Sequence, residues 1–163
     1  MRRIRYRRWL LLGAISLCIL VALLRILVEP MQIVGDCMEP AIHDGQWCFV
    51  NRFAYWHSPP AIGDVVLFRH EQKVWISRIV AVGGQRVEVT RDGLVLDGSV
   101  NVNDPIAREW SEWNRTGTCG VGSPCDVPAE HVYVLSDNLS ARHDDSRVFG
   151  PIPAKDLLGK SFR

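Results

Sequence analysis

A mainly β, antiparallel domain of the kind that packs strands in meanders, carried on one N-terminal membrane-spanning helix, is the fold class this sequence predicts. Three observations predict it. Residues 9–28, WLLLGAISLCILVALLRILV, hold a single charge, Arg25, and at roughly 1.5 Å per helical residue they cover the roughly 30 Å of a bilayer core. Beyond Glu29-Pro30 the chain changes to short runs rich in Val, Ile and aromatic residues, with glycines or prolines beside them. Helical periodicity is scarce from there to the end of the 163 residues, a length that suits one compact domain plus an appendage.

Taken in order, residues 1–8 form a basic segment with Arg2, Arg3, Arg5, Arg7 and Arg8. The positive-inside bias holds that end in the cytoplasm and sends residues 29–163 across the membrane. A cleaved signal peptide competes with a retained anchor, but the apolar run exceeds the usual h-region and no small-x-small site follows it before Glu29-Pro30. A retained transmembrane helix over 9–28 is therefore expected. Proline disfavours helical geometry in the residue before it, so the helix ends there. Strands are expected at WCFVNR (47–52), DVVLFRH (64–70), VWISRIVAV (74–82) and QRVEVT (85–90). Arg91-Asp92-Gly93 turns the chain into LVLDG, and HVYVLSD (131–137) is a further apolar strand. Residues 104–130 carry turn chemistry without periodicity and read as a long excursion from the domain.

Charge narrows the partners. The net charge is +1, but six of the 19 basic residues precede position 29, leaving 13 against 18 acidic residues and an outer domain of about −5. Nucleic acid is excluded as an expected partner, whereas membrane lipid is implied by the anchor. No cofactor is expected, and no metal, because the cysteines lack a second ligand pair at metal spacing. Cys119 and Cys125, in CGVGSPC, suit a disulfide in an oxidising compartment. Cys18 lies in the apolar run, and Cys48 begins an alternating strand where a small buried thiol is ordinary. Cys37, in IVGDCMEP, is either a buried thiol or a nucleophile on a strained turn.

The order of several blocks decides how Cys37 is read. VGDCMEPAIHDGQWCFVNRFAY, GDVVLFR, WISRIVAVGGQRV and SDNLSARHDDSRVFG, following a membrane anchor, resemble the successive blocks of type I signal peptidases, the leader peptidases. CGVGSPC is similar to the paired cysteines of members with a disulfide-bearing outer loop. The resemblance implies a β domain docked on the outer face of a bacterial inner membrane, with a groove that accepts an extended chain as an added strand. It implies exported precursors with signal peptides as substrates and a serine nucleophile activated by a lysine. Cys37 stands at the serine position, ahead of Met38 and Pro40, and Ser77 stands at the lysine position.

A thiol keeps the nucleophilic chemistry, since a thiolate forms far more readily than an alkoxide. Ser77 cannot replace the lysine, because a hydroxyl is no general base near neutral pH. Lys73 is four strand residues away, about 13 Å. Aligned backwards from Asp145-Ser146-Arg147, His143 falls where the resemblance implies a serine in contact with the catalytic lysine. An imidazole there suits proton exchange with a thiol, with Asp144 or Asp145 to fix its tautomer; a solvated histidine in a polar loop is the plainer alternative. The resemblance also implies an oxyanion donor in the backbone N–H of Cys37, with Gly35 at the position of a second, hydroxyl donor. Asp137, Asn138, Asp145, Ser146 and Arg147 read as a polar cluster supporting the site. The expected function is cleavage of signal peptides from exported precursors. The alternative is a silent homologue that binds or assembles exported or pilus proteins.

Overall fold

The computed structural model describes residues 2–90, 93–100, 119, 122–138 and 143–162. Most of the expected 104–130 excursion, with Trp110 and Trp113, lies outside the described residues. The chain begins as one helix, α1 (Arg2–Leu27), that runs through the basic segment and the apolar run without a break. Sequence reading divides these at residue 8, but arginine is a good helix former and nothing in the sequence interrupts the turn there. The helix also stops one residue early. β-branched Val28 and the restriction before Pro30 put Val28–Gln32 into strand β1.

Among the described residues no helix is long and apolar enough to cross a membrane. The side chains described in α1 are those of residues 9–22, 25 and 27. They include a run of exposed apolar groups, Trp9, Leu10 and Leu17 among them.

The remaining elements form two antiparallel sheets. The larger has the order β1-β2-β11-β3-β4-β9-β10 and the smaller the order β7-β6-β5-β8. Their strands are β2 (Trp47–Asn51), β3 (Val65–His70), β4 (Lys73–Val82), β5 (Arg86–Thr90), β6 (Gly93–Leu96), β7 (Ser99–Val100), β8 (Cys125–Asp126), β9 (His131–Leu135), β10 (Ile152–Pro153) and β11 (Leu157–Phe162). β4 is the longest, with ten residues, and pairs with β3 on one side and β9 on the other. Val66 lies opposite Ser77, and Leu67 opposite Ile76.

Buried side chains gather in three groups. Val66, Phe68, Ile79, Val132, Val134 and Ile152 fill the centre of the large sheet. Val87, Val89, Leu94, Tyr133 and Leu135 join the small sheet to β9, together with Cys119 and Cys125. Those two cysteines are disulfide-bonded, with Cα atoms 5.3 Å apart. The third group, Ile33, Met38, Ile42, Cys48, Val50 and Leu67, lies beneath the β1–β2 connection and so directly under Cys37. Burial of a side chain of this size stabilises by about 1.5–3 kcal/mol, so the connection behaves as part of the core.

Candidate active site

The turn that carries Cys37 is closed at its base by main-chain bonds. Ile33 N donates to Gln46 O at 2.9 Å, and Gly45 N donates to Ile33 O at 2.8 Å. Gly35 adopts φ 103°, a conformation that favours glycine, and its N–H donates to Asp44 Oδ1 at 2.8 Å. Met38 is fully buried and acts as the plug of the turn. Ile42 N donates to Met38 O at 2.7 Å, which bends the chain through Pro40 and back towards β2. The result is a rigid corner with Cys37 at its entrance.

Two neighbours converge on that corner. From β4, the Ile76 carbonyl accepts the Cys37 thiol at 3.9 Å and the Ser77 hydroxyl at 2.7 Å. Thiol and hydroxyl therefore meet one acceptor, and Ser77 is almost wholly buried beside it. From the chain after β9, Asn138 N donates to Cys37 O at 2.9 Å, and Asn138 Nδ2 donates to Asp36 O at 2.8 Å. His143 follows, with Nε2 3.1 Å from Asp36 Oδ1. The structure thus brings Cys37, Ser77, Asn138 and His143 to one corner.

The supporting ions are arranged differently. Asp137 is buried and takes two bonds from Arg78, from Nε at 2.8 Å and from Nη2, while Arg78 Nη1 donates to Gly63 O at 2.9 Å. Asp145 caps the short helix α2 (Ser146–Phe149). It accepts from Arg147 Nε at 2.8 Å, Arg147 Nη2 at 2.7 Å and Ser136 N at 3.2 Å. Ser146 Oγ accepts from Val134 N at 2.9 Å, tying α2 to β9. Asp145 is therefore occupied by Arg147, and Asp144 is exposed. The carboxylate found against His143 is that of Asp36, which sequence reading passed over, as it did Arg78 and the Ile76 carbonyl. Asp36 had a signal, its place directly before Cys37; the other two depend on strand register.

Electrostatics at the sulfur favour the proton. Burial pushes the Cys37 thiol up to about 11, the negative charges of Asp36 and Asp137 add to the rise, and the residue's own backbone N–H offsets part of it. The Ile76 carbonyl works in the same direction, since it can accept from a thiol but only repels a thiolate. Among the described residues no ammonium acts on the sulfur. Cys48 is a separate, buried free thiol. A cleft of about 760 Å³ lined by Pro59, Pro60, Val82, His131 and Lys155 contains none of these residues, so volume alone does not locate the chemistry.

The family described as signal peptidase, peptidase S26, matches residues 6–163. The chain belongs to this signal peptidase family. Signal peptidase I P of Bacillus subtilis subsp. natto is 26% identical over 159 residues, spanning 93% of this chain and 84% of the relative. Signal peptidase I T of Bacillus subtilis (strain 168) is 28% identical over 154 residues, spanning 91% of this chain and 80% of the relative. The crystal structure of a signal peptidase I from Enterococcus faecalis V583 superposes with a TM-score of 0.50 at 23% identity, over 63% of this chain and 97% of that one. That likeness supports the signal peptidase fold, and the site geometry above stands on this chain's own residues.

Proposed function

We propose that this signal peptidase homologue is a membrane-bound endopeptidase that removes signal peptides from exported precursors, with Cys37 as nucleophile and His143 as general base. The observation that carries the reading is the contact of Asn138 and His143 with the turn that holds Cys37. Asn138 fixes the carbonyls of Asp36 and Cys37, and His143 packs against Asp36. Because burial keeps the resting sulfur protonated, the proton leaves during attack. It passes from Sγ to the imidazole as sulfur bonds to the scissile carbonyl carbon. The backbone N–H of Cys37 then faces the developing oxyanion, the imidazolium protonates the departing amine, and water hydrolyses the thioester. Ser77 fills the place of the family lysine with a small hydroxyl bonded to Ile76 O, and Gly35, Met38 and Pro40 hold the turn.

The same reading places α1 in the bacterial cell membrane, N-terminus inside and the β domain outside. The apolar exposed face of α1 supports it, as do Trp47, Phe49 and Phe162, which are exposed on β2 and β11. Val28 and Pro30 of β1 lie opposite Asn51 and Phe49 of β2, at the foot of α1, so lipid is a partner of this edge.

In detergent, the purified chain is expected to cut a precursor bearing Ala-x-Ala before its mature region, and Cys37→Ala and His143→Gln each abolish the cut. Cutting that survives in Cys37→Ala removes the reading. A second reading has one observation in its favour, the raised thiol: a catalytically silent homologue that binds exported or pilus proteins as an assembly factor. It predicts saturable binding of the precursor with no product at any pH.

A further inference from the structure

The foot of α1 holds an arginine that no carboxylate pairs with among the described residues. Arg25 is the single charged residue between Trp9 and Val28, and it stands exposed in the last turn of the helix. The next acid along the chain, Glu29, is bridged to Arg52 at 3.3 Å. A guanidinium in a last turn offsets the helix dipole, but that effect engages none of its five N–H donors.

Arg25 also lines a cavity. Val21 and Arg25 lie one turn apart on the same face of α1, and Val28 begins β1 just beyond them. Pro30 and Phe49, opposite each other in the β1–β2 pair, close the other side, and the space enclosed measures about 410 Å³. Every other residue of the lining is apolar. The apolar wall continues outwards, because the Phe49 ring stacks on that of Phe162 at 6.0 Å and both are exposed.

A guanidinium facing apolar walls is costly unless an anion reaches it. Its planar fork matches two oxygens of a phosphate. A partner that carries a phosphate and an apolar chain in one molecule satisfies both halves of the cavity, and a phospholipid is such a partner. With no carboxylate in the lining to receive an ammonium, an anionic headgroup fits better than a zwitterionic one.

We propose that Arg25, with Val21, Val28, Pro30 and Phe49, forms a binding site for one anionic phospholipid, its phosphate on the guanidinium and an acyl chain along Val21 and Phe49. The site rests on the reading that α1 lies in the cell membrane. A lipid held there bridges the helix to the β1–β2 pair, whose connection carries Cys37.

The test titrates the full chain, in a non-ionic detergent, with a short-chain phosphatidylglycerol and counts retained lipid by native mass spectrometry. The unmodified chain should hold one lipid. In Arg25→Gln the dissociation constant should rise by about tenfold or more, with Arg25→Lys between the two because an ammonium lacks the fork. Phe49→Ala, which removes a wall and no charge, should weaken binding as well. Phosphatidylcholine should bind more weakly, and glycerol phosphate, which has the charge without the chains, should not compete. Equal affinity in the unmodified chain and in Arg25→Gln or Phe49→Ala would overturn the proposal, as would phosphatidylcholine bound as tightly or displacement by glycerol phosphate. Alkaline carbonate extraction of cell membranes tests the underlying reading separately. A chain that washes off, yet binds the lipid through Arg25 in detergent, keeps the site and removes the membrane placement.

Discussion

Two clusters of charge lie within a few residues of each other in sequence and are built on opposite principles. Around α2, Asp145 and Arg147 are both buried and bonded in two places, and the Ser136 N–H occupies part of the remaining acceptor capacity. At the Cys37 corner, Asp36 and Asp137 bear on a half-buried sulfur, and the His143 imidazole lies 3.1 Å from Asp36. The first cluster is neutral and closed. Among the described residues, the second sets the negative charges of Asp36 and Asp137 beside the sulfur. The polar cluster around α2 is therefore over-determined, whereas the Cys37 sulfur is fixed in position with its proton retained.

The largest effect should come from opening the closed cluster. Asp145→Ala removes the buried carboxylate that accepts from Arg147 Nε and Nη2 and should cost about 3–5 kcal/mol in urea unfolding. A loss under about 1 kcal/mol would mean that the pair is a spectator. Restoring a cation to the open corner should do the reverse of what burial does. In Ser77→Lys, an ammonium beside the sulfur lowers the thiol pKa, and each unit lowered raises the thiolate at neutral pH about tenfold. Iodoacetamide labelling of Cys37 at pH 7 is therefore expected to accelerate at least ~10-fold.

A smaller effect separates the corner by its pH dependence. The folded thiol holds its proton to about 11, above the 9.0 of an ordinary cysteine. Between those values the unfolded chain ionises first, so stability present below about pH 9 is lost as pH rises through 11. Tyr55, bonded to Asp64 at 3.0 Å, and buried Tyr133, bonded to the Cys119 carbonyl at 2.7 Å, are raised as well and add to the alkaline loss. The difference in stability between the unmodified chain and Cys37→Ala should therefore change between pH 8.5 and 10.5, with the unmodified chain losing more. The smallest effect is expected at the exposed pair of Arg86 and Asp126, 3.3 Å apart. Asp126→Ala should leave urea stability within about 0.5 kcal/mol.

Much of the architecture was legible because its strands announce themselves. The runs at 47–52, 64–70, 85–90 and 131–137 each contain an observed strand, and the run at 74–82 misses only the first residue of β4, since β-branched and aromatic residues between turn formers admit few other states. β11 was missed for a physical reason. LLGKSF carries Gly159 at its centre, which breaks the pattern, yet that glycine is required because a Cβ there would lie 2.6 Å from Asn51 O. β1, β8 and β10 are short or contain proline, and they pair because their neighbours offer an edge. At the site, Cys37 could be singled out from the block around it, and Cys119–Cys125 from spacing. The placement of Asp36 against His143 could not, since nothing in the chain says that residue 143 folds back across a hundred positions onto residue 36. Nor could the direction of the thiol's shift, which depends on burial rather than on residue type.

The central claim is that a protonated, positioned Cys37 attacks the precursor with His143 receiving its proton. A single-turnover reaction with the Ala-x-Ala precursor, quenched in acid and read by intact mass, tests it most directly. The account predicts the signal-peptide fragment joined to Cys37 as a thioester, absent in Cys37→Ala and strongly diminished in His143→Gln. Mature protein released by Cys37→Ala, or precursor bound to the unmodified chain with neither adduct nor product, would contradict it.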